Sequence, residues 1–474
     1  MGITPSVQLN VPANFSHFSI MFGYTDRLRL ILAPQEIINA TRSILLTFWT
    51  IQDTTEQPGF IEFKLQGTPF SPSQELDKSV KYLMCLLLKE YFALGYHFKA
   101  STDLQRNGTA SDALIFERKE KISTYAICLS LNSTDKIRVF APEEVISYIR
   151  SVIIQTWPLG IQREEKILNG WEFKLKGNPW GGWTMDNDET YLSAFMINGI
   201  IQALYNLGWL YIGAIKSGKR QFDLNSLYFR FDPVLLQSIS SNSQSPSRFF
   251  AISLNRNDRI RLINAPMDLV SAVRTAIIES WPLGIQEEFT VNVGYEFKIK
   301  GNPWWCNGVE TVFSRRLVSS IFRLLRQYYW SLYATCELTT HLNSKSVFFS
   351  RYNPTENSNF RPLCISLNES DRIRIIDGNQ NHVNAVANSI VNGWPDGIQS
   401  QGVYSLSYEF KLKGYPFSGS FSNPIYASVV MMHILANLQY HGAQFICSAS
   451  VSGKYHSDKH GSYPIDLSSL FFLC

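Results

Sequence analysis

The chain has 474 residues, is 45% hydrophobic and 17% charged, carries a formal net charge of +4, and holds seven cysteines. That balance excludes a disordered tail protein and gives no support to a strongly basic nucleic-acid coat, although nucleic acid stays open as a partner. The length calls for about three domains or more rather than one core.

Met1-Gly2-Ile3-Thr4-Pro5-Ser6 fits the M-G-x-x-x-[ST] pattern for N-myristoylation and makes Gly2 a lipidation candidate. One acyl chain without a polybasic neighbour holds a membrane weakly and reversibly. The start shows no charged segment followed by an apolar one, and no apolar run approaches the ~18 residues of a spanning helix. The cysteines are odd in number and form no C-x-x-C pair, which favours reduced thiols. A cytoplasmic protein, with peripheral membrane attachment through Gly2, is the expectation.

Along the chain one pattern recurs four times. The cores Asp26-Arg27-Leu28-Arg29, Asp135-Lys136-Ile137-Arg138, Asp258-Arg259-Ile260-Arg261 and Asp371-Arg372-Ile373-Arg374 are followed by Glu62-Phe63-Lys64, Glu172-Phe173-Lys174, Glu296-Phe297-Lys298 and Glu409-Phe410-Lys411. The repeats span 14–119, 120–236, 248–356 and 357–474, with the Ser-rich stretch 237–247 reading as a flexible linker.

The third copy shows the elements in order. Phe249 to Leu254 is a β-rich run, Asn255 to Asp258 supplies turn chemistry, and Arg259 to Ile263 alternates basic with apolar residues, which together predict a hairpin. Pro266 opens a helix whose buried face carries Leu269, Val273 and Ile277 and which stops at Trp281-Pro282. A strand over Tyr295–Lys300 ends at Gly301-Asn302-Pro303, a second helix carries Leu317, Ile321, Leu324 and Leu325, and two strands close the unit. Each repeat therefore reads β-β-α-β-α-β-β, an α+β fold with two helices packed on one face of a mostly antiparallel sheet.

Period-two alternation puts the basic residues on the other face. Arg27, Arg29, Arg138, Lys174, Lys176, Arg259, Arg261, Lys298, Lys300, Arg372, Arg374, Lys411 and Lys413 would then form a repeated cationic surface for a protein or an anionic membrane, gaining affinity by multiple engagement. A structural reading competes: Asp can cap the turn and Glu172 or Glu296 can pair with a basic neighbour across the sheet. Trp180 and Trp304, just past the Gly-Asn-Pro turns, either stack on a partner or fold back as core plugs.

Chemistry-bearing motifs are few. Gly213-Ala214-Ile215-Lys216-Ser217-Gly218-Lys219 has phosphate-loop spacing, but Arg220 replaces the Ser or Thr and a strand, not a helix, should follow. His456, Asp458 and His460 occur in one copy only. No nucleophile elbow, zinc signature or acid/base dyad is present, so no metal, cofactor or reaction class is expected. The expectation is a non-catalytic multi-module binding or scaffold protein. The alternatives are a small apolar ligand held between paired repeats and an enzyme with one active, diverged copy.

Overall fold

Each repeat is built from six strands and two helices in the same order. The computed structural model describes residues 9, 15–70, 74–105, 112–181, 189–216, 224–241, 248–339, 345–355, 360–418, 422–452, 455–458, 461–464 and 466–474. Gly2, His460, residues 217–223 of the phosphate-loop lookalike and its flank, and residues 242–247 lie outside them.

The first repeat runs β1 (His17–Gly23), β2 (Arg27–Ile31), α1 (Gln35–Phe48), β3 (Ile51–Gln57), β4 (Phe60–Leu65), α2 (Gln74–Leu94), β5 (Tyr96–Thr102) and β6 (Ala113–Arg118). The second runs β7 (Ala126–Asn132), β8 (Lys136–Phe140), α3 (Glu143–Thr156), β9 (Ile161–Ile167), β10 (Gly170–Leu175), α4 (Glu189–Asn206), β11 (Trp209–Ile215) and β12 (Ser226–Phe231). A short helix, α5 (Pro233–Ser241), follows, so the Ser-rich stretch begins as helix where its composition suggested a flexible linker.

The third repeat comprises β13 (Phe249–Asn255), β14 (Arg259–Ile263), α6 (Met267–Ser280), β15 (Ile285–Val291), β16 (Gly294–Ile299), α7 (Glu310–Gln327), β17 (Trp330–Glu337) and β18 (Ser346–Tyr352). The fourth comprises β19 (Pro362–Asn368), β20 (Arg372–Ile376), α8 (Gln380–Gly393), β21 (Ile398–Tyr404), β22 (Ser407–Leu412), α9 (Asn423–Tyr440), β23 (Gln444–Ala449) and β26 (Asp466–Leu473). It also carries a small extra hairpin, β24 (Tyr455–Asp458) with β25 (Gly461–Pro464).

All four sheets are antiparallel, in the order β3-β4-β2-β1-β6-β5 and its equivalents. The α+β class and the tandem arrangement stand. Each sheet holds one strand more than the sequence pattern counts, because β3, β9, β15 and β21 are outer edge strands whose mostly exposed residues lack apolar alternation.

The repeated residues fix the local geometry. Pro34, Pro142 and Pro266 sit at the N-caps of α1, α3 and α6, whereas α8 starts from an Asn379–His382 capping box. All four helices stop at a tryptophan, and the indole N–H of Trp49, Trp157, Trp281 and Trp394 donates to the carbonyl of Gln66, Lys176, Lys300 and Lys413. Each bond ties the end of a helix to the end of a strand in the same repeat.

Alternation along the strands sends side chains into two different cores. Phe18, Ile20, Phe22, Leu28 and Leu30 meet the repeat's own helices through Ile37, Leu45, Val80 and Leu83. Met21, Ile31, Phe60, Ala113 and Ile115, from the opposite face, join a core that contains Val430, Met431 and Ile434 of α9. The same exchange links the others: Cys128, Phe140 and Tyr228 of the second sheet pack with the first repeat, Ala251, Ile263 and Phe349 of the third with the second, and Cys364, Ile376 and Phe471 of the fourth with the third. Each repeat's second helix is thus sandwiched between its own sheet and the next one, and α9 returns to the first sheet. The four repeats close into a ring.

Strands β5, β11, β17 and β23 touch in succession around the middle of this ring. Gly213 permits the approach of β11 to β5, since a Cβ there would meet the Phe98 ring at 2.2 Å. Across β11 and β17, the Tyr211 backbone N–H donates to the Tyr333 hydroxyl at 2.9 Å and the Tyr211 hydroxyl donates to the Thr335 carbonyl at 2.7 Å.

Candidate functional site: seams and a cleft between repeats

The Asp-Arg-x-Arg and Glu-Phe-Lys motifs meet across the sheet: Arg29 stands opposite Glu62, Arg138 opposite Glu172, Arg261 opposite Glu296, and Arg374 opposite Glu409. In each pair the arginine Nε donates to one carboxylate oxygen, at 2.6, 2.7, 2.6 and 2.7 Å in turn. The other oxygen accepts from the first basic residue of the motif, Arg27, Lys136, Arg259 or Arg372. Burial works against the Glu172 and Glu296 carboxylates, but the donors around them outweigh it and hold both below the usual glutamate range.

These clamps are covered by the preceding repeat. Arg138 Nη1 donates to Asp77 of α2 at 2.6 Å, Arg261 Nη1 to the Thr190 hydroxyl of α4 at 2.6 Å, and Arg374 Nη1 to the Thr311 hydroxyl of α7 at 2.9 Å. Tyr191 of α4 adds a 2.6 Å bond to Glu296 and lies 4.1 Å from the Arg261 guanidinium.

The expected cationic outer surface is therefore corrected. Arg29, Arg138, Arg261 and Arg374 are buried, and Arg27, Arg259, Arg372, Lys174, Lys298 and Lys411 are half-buried along the seams. Only Lys176, Lys300 and Lys413, past the last strand residue, are exposed. The cause is the apolar content of the same face, which needs a cover. Trp180 and Trp304 are buried plugs, each donating its indole N–H to the carbonyl of Lys136 or Arg259. The sequence therefore named interface residues and took them for surface ones.

An open site lies in the seam between the first and second repeats. A cleft of about 700 Å³ is walled by Tyr82, Cys85 and Leu86 of α2 and by Phe140, Gly170 and Trp171 at the end of the second sheet. Its volume falls inside the ~300–1,000 Å³ of small-molecule sites. Lys89 and Lys166 stand at its rim. Lys89 Nζ lies 5.0 Å from the centre of the Tyr125 ring, and the Trp171 indole donates to Glu143 at 3.1 Å.

Two other seams carry an aromatic ring at the corresponding position. At the seam joining the fourth repeat to the first, Phe15 packs on His433 with ring centres 4.6 Å apart, and at the third-to-fourth seam Phe360 packs under Arg326 at 4.6 Å. Strand register makes Thr124 the equivalent of Phe15 and Phe360. Thr124 turns its hydroxyl to the Phe231 carbonyl at 2.7 Å, so no aromatic ring stands at that position. No sequence motif marks this site.

A second polar group gathers at one end of the ring, where it joins all four repeats. Lys216 donates to Glu337 at 2.8 Å, Glu337 accepts from Ser450 at 2.7 Å, and the Asp103 backbone N–H donates to Ser468 at 3.0 Å. Burial, reinforced by Asp112, pushes the Asp103 carboxyl up to about 7, and burial pushes Lys345 down to about 8. Among the described residues no group of three or more His, Cys, Asp or Glu side chains is placed to hold a metal ion, and no helix is long and apolar enough to cross a membrane.

Fold and seams together define a closed ring of four α+β repeats. One domain-family model matches the chain four times, at residues 16–117, 125–230, 248–351 and 361–472, and the protein belongs to that family. No curated protein matches the chain. A crystal structure of a conserved kinetoplastid-specific protein from Trypanosoma cruzi is similar to it at 17% identity, covering 24% of this chain and 97% of that chain with a TM-score of 0.18.

Proposed function

We propose that this is a non-catalytic binding protein in which the ring serves as a rigid frame and the cleft between the first and second repeats takes a small apolar molecule. The observation that carries the reading is the unfilled, aromatic-walled space at one seam where related seams hold Phe15 or Phe360. Pockets of this size at repeat boundaries, mostly apolar with a few polar groups at the edge, are the usual setting for small ligands. A cationic docking face loses support once the arginines lie inside the seams. Lys176, Lys300 and Lys413 remain for a macromolecular partner, and neither membrane nor nucleic acid is needed to explain the buried charges.

The test is titration of the full chain with an uncharged dye, N-phenyl-1-naphthylamine, that brightens in apolar surroundings. One saturable site per chain is expected, lost in Leu86→Trp, which fills the cleft, while the melting temperature stays close to that of the parent. Absence of saturable binding, or equal binding by the filled variant, would remove this reading.

A further inference from the structure

The rim of the cleft is charged unevenly. Lys89, on the exposed side of α2, and Lys166, on the exposed outer strand β9, both line it, and among the described residues neither forms an ion pair. The one carboxylate in the lining, Glu143, already accepts the Trp171 indole N–H. Pro142, the N-cap of the 14-residue helix α3, also lines the opening, and no side chain caps that helix start. Glu143 and Glu144 in its first turn offset the positive end of the helix dipole, so the excess positive charge of the rim rests on the two ammonium groups. Behind this rim the walls are Tyr82, Leu86, Phe140 and Trp171, with no second charged group at depth.

From this arrangement we propose, resting on the ligand-cleft reading above, that the ligand is an amphipathic anion: an apolar chain or ring seated between α2 and the second sheet, with a carboxylate at the mouth between Lys89 and Lys166. An apolar body gains by leaving water, and its charged end avoids the cost of burial by stopping at the rim, where two cations attract it. A neutral molecule would fill the walls but leave the lysines unused. A cation would meet the two ammonium groups at the mouth.

The experiment displaces the bound neutral dye from the full chain with decanoate, decanol or decyltrimethylammonium, which share one apolar chain and differ at the head. At low salt decanoate is expected to displace the dye at a concentration on the order of fivefold lower than decanol, with the ammonium compound weakest. High salt should shrink the difference, since the lysines are exposed. In Lys89→Glu combined with Lys166→Glu, decanol should bind as before and decanoate should lose its advantage. Equal displacement by decanoate and decanol, or a preference for decanoate that survives the double substitution, overturns the anionic head while leaving the cleft in place. If decanol fails as well, the cleft reading itself falls.

Discussion

The three seams between consecutive repeats and the seam that returns from the fourth repeat to the first bury the same sheet face with different chemistry. In the consecutive seams an arginine already clamped to glutamate donates one more bond to a residue near the start of the preceding helix, Asp77, Thr190 or Thr311. In the closing seam the helix position of Thr190 and Thr311 is Pro424, which has no hydroxyl to offer. Contact is made by Ser19 and Ser428, whose hydroxyls lie 2.6 Å apart, by Phe15 on His433, and by Lys99, which donates to Gln439 at 2.8 Å. Clamped arginines reach across the consecutive seams, whereas rings, hydroxyls and the Lys99 ammonium bridge the closing one. A seam assembled from residues about four hundred positions apart carries a larger chain-entropy cost of closure.

The largest effect expected from this contrast is at Arg138. Arg138→Ala removes the cation shared by the buried Glu172 and the half-buried Asp77, which keep Lys136 and Lys81, and should cost about 2–3 kcal/mol of stability, read from the denaturant midpoint. Arg29→Ala, at the closing seam where Pro424 stands in the place of Asp77, should cost about 1 kcal/mol less. Equal losses would break the distinction between the two kinds of seam.

Acid should act next, and on the closing seam. Burial, opposed in part by Glu117, lowers His17 to about 4, and burial also lowers His433. The unfolded chain then takes up protons that the folded chain refuses, so stability is complete above the ordinary histidine range and declines as pH falls toward 4. His433→Leu should flatten this decline in melting temperature. A variant with the parent's full acid sensitivity would place the titration elsewhere.

A smaller, opposite trend belongs to Asp103. Its carboxyl is raised to about 7 against an ordinary value near 3.8, so the folded state holds a proton the unfolded state has lost, and stability falls as pH rises through that window. Asp103→Asn should raise the melting temperature at pH above about 7 and change little near pH 4. Because the residue is only half-buried, solvent screening limits the gain. Lower stability of this variant at alkaline pH would contradict the assignment.

Much of the fold was readable. Four copies, the hairpins, the proline starts and the tryptophan stops all follow from local residues, and the helices stop at Trp157, Trp281 and Trp394 as the pattern implies. What escaped was the cover on the second sheet face. The trace lay in the strands themselves: His17-Phe18-Ser19-Ile20-Met21-Phe22-Gly23 is buried at every position, and a nearly unbroken apolar run signals burial on both faces. Next to it, the alternating arginines looked like a solvated face. Their partners, Asp77 and Thr190, come from another repeat, and no pattern within one repeat can show that. The cleft was less legible still, because its walls come from two repeats and no motif marks them.

The central claim is that the fourth repeat closes on the first, and Ser19 with Ser428 tests it most directly. Their hydroxyl oxygens are 2.6 Å apart, close enough that cysteines at both positions should reach bonding distance with little backbone movement. In Ser19→Cys combined with Ser428→Cys, mild oxidation should give an intramolecular disulfide, seen as faster migration without reductant and absent from either single variant. If both introduced thiols instead stay reduced and independently alkylatable under native conditions, the ring is open.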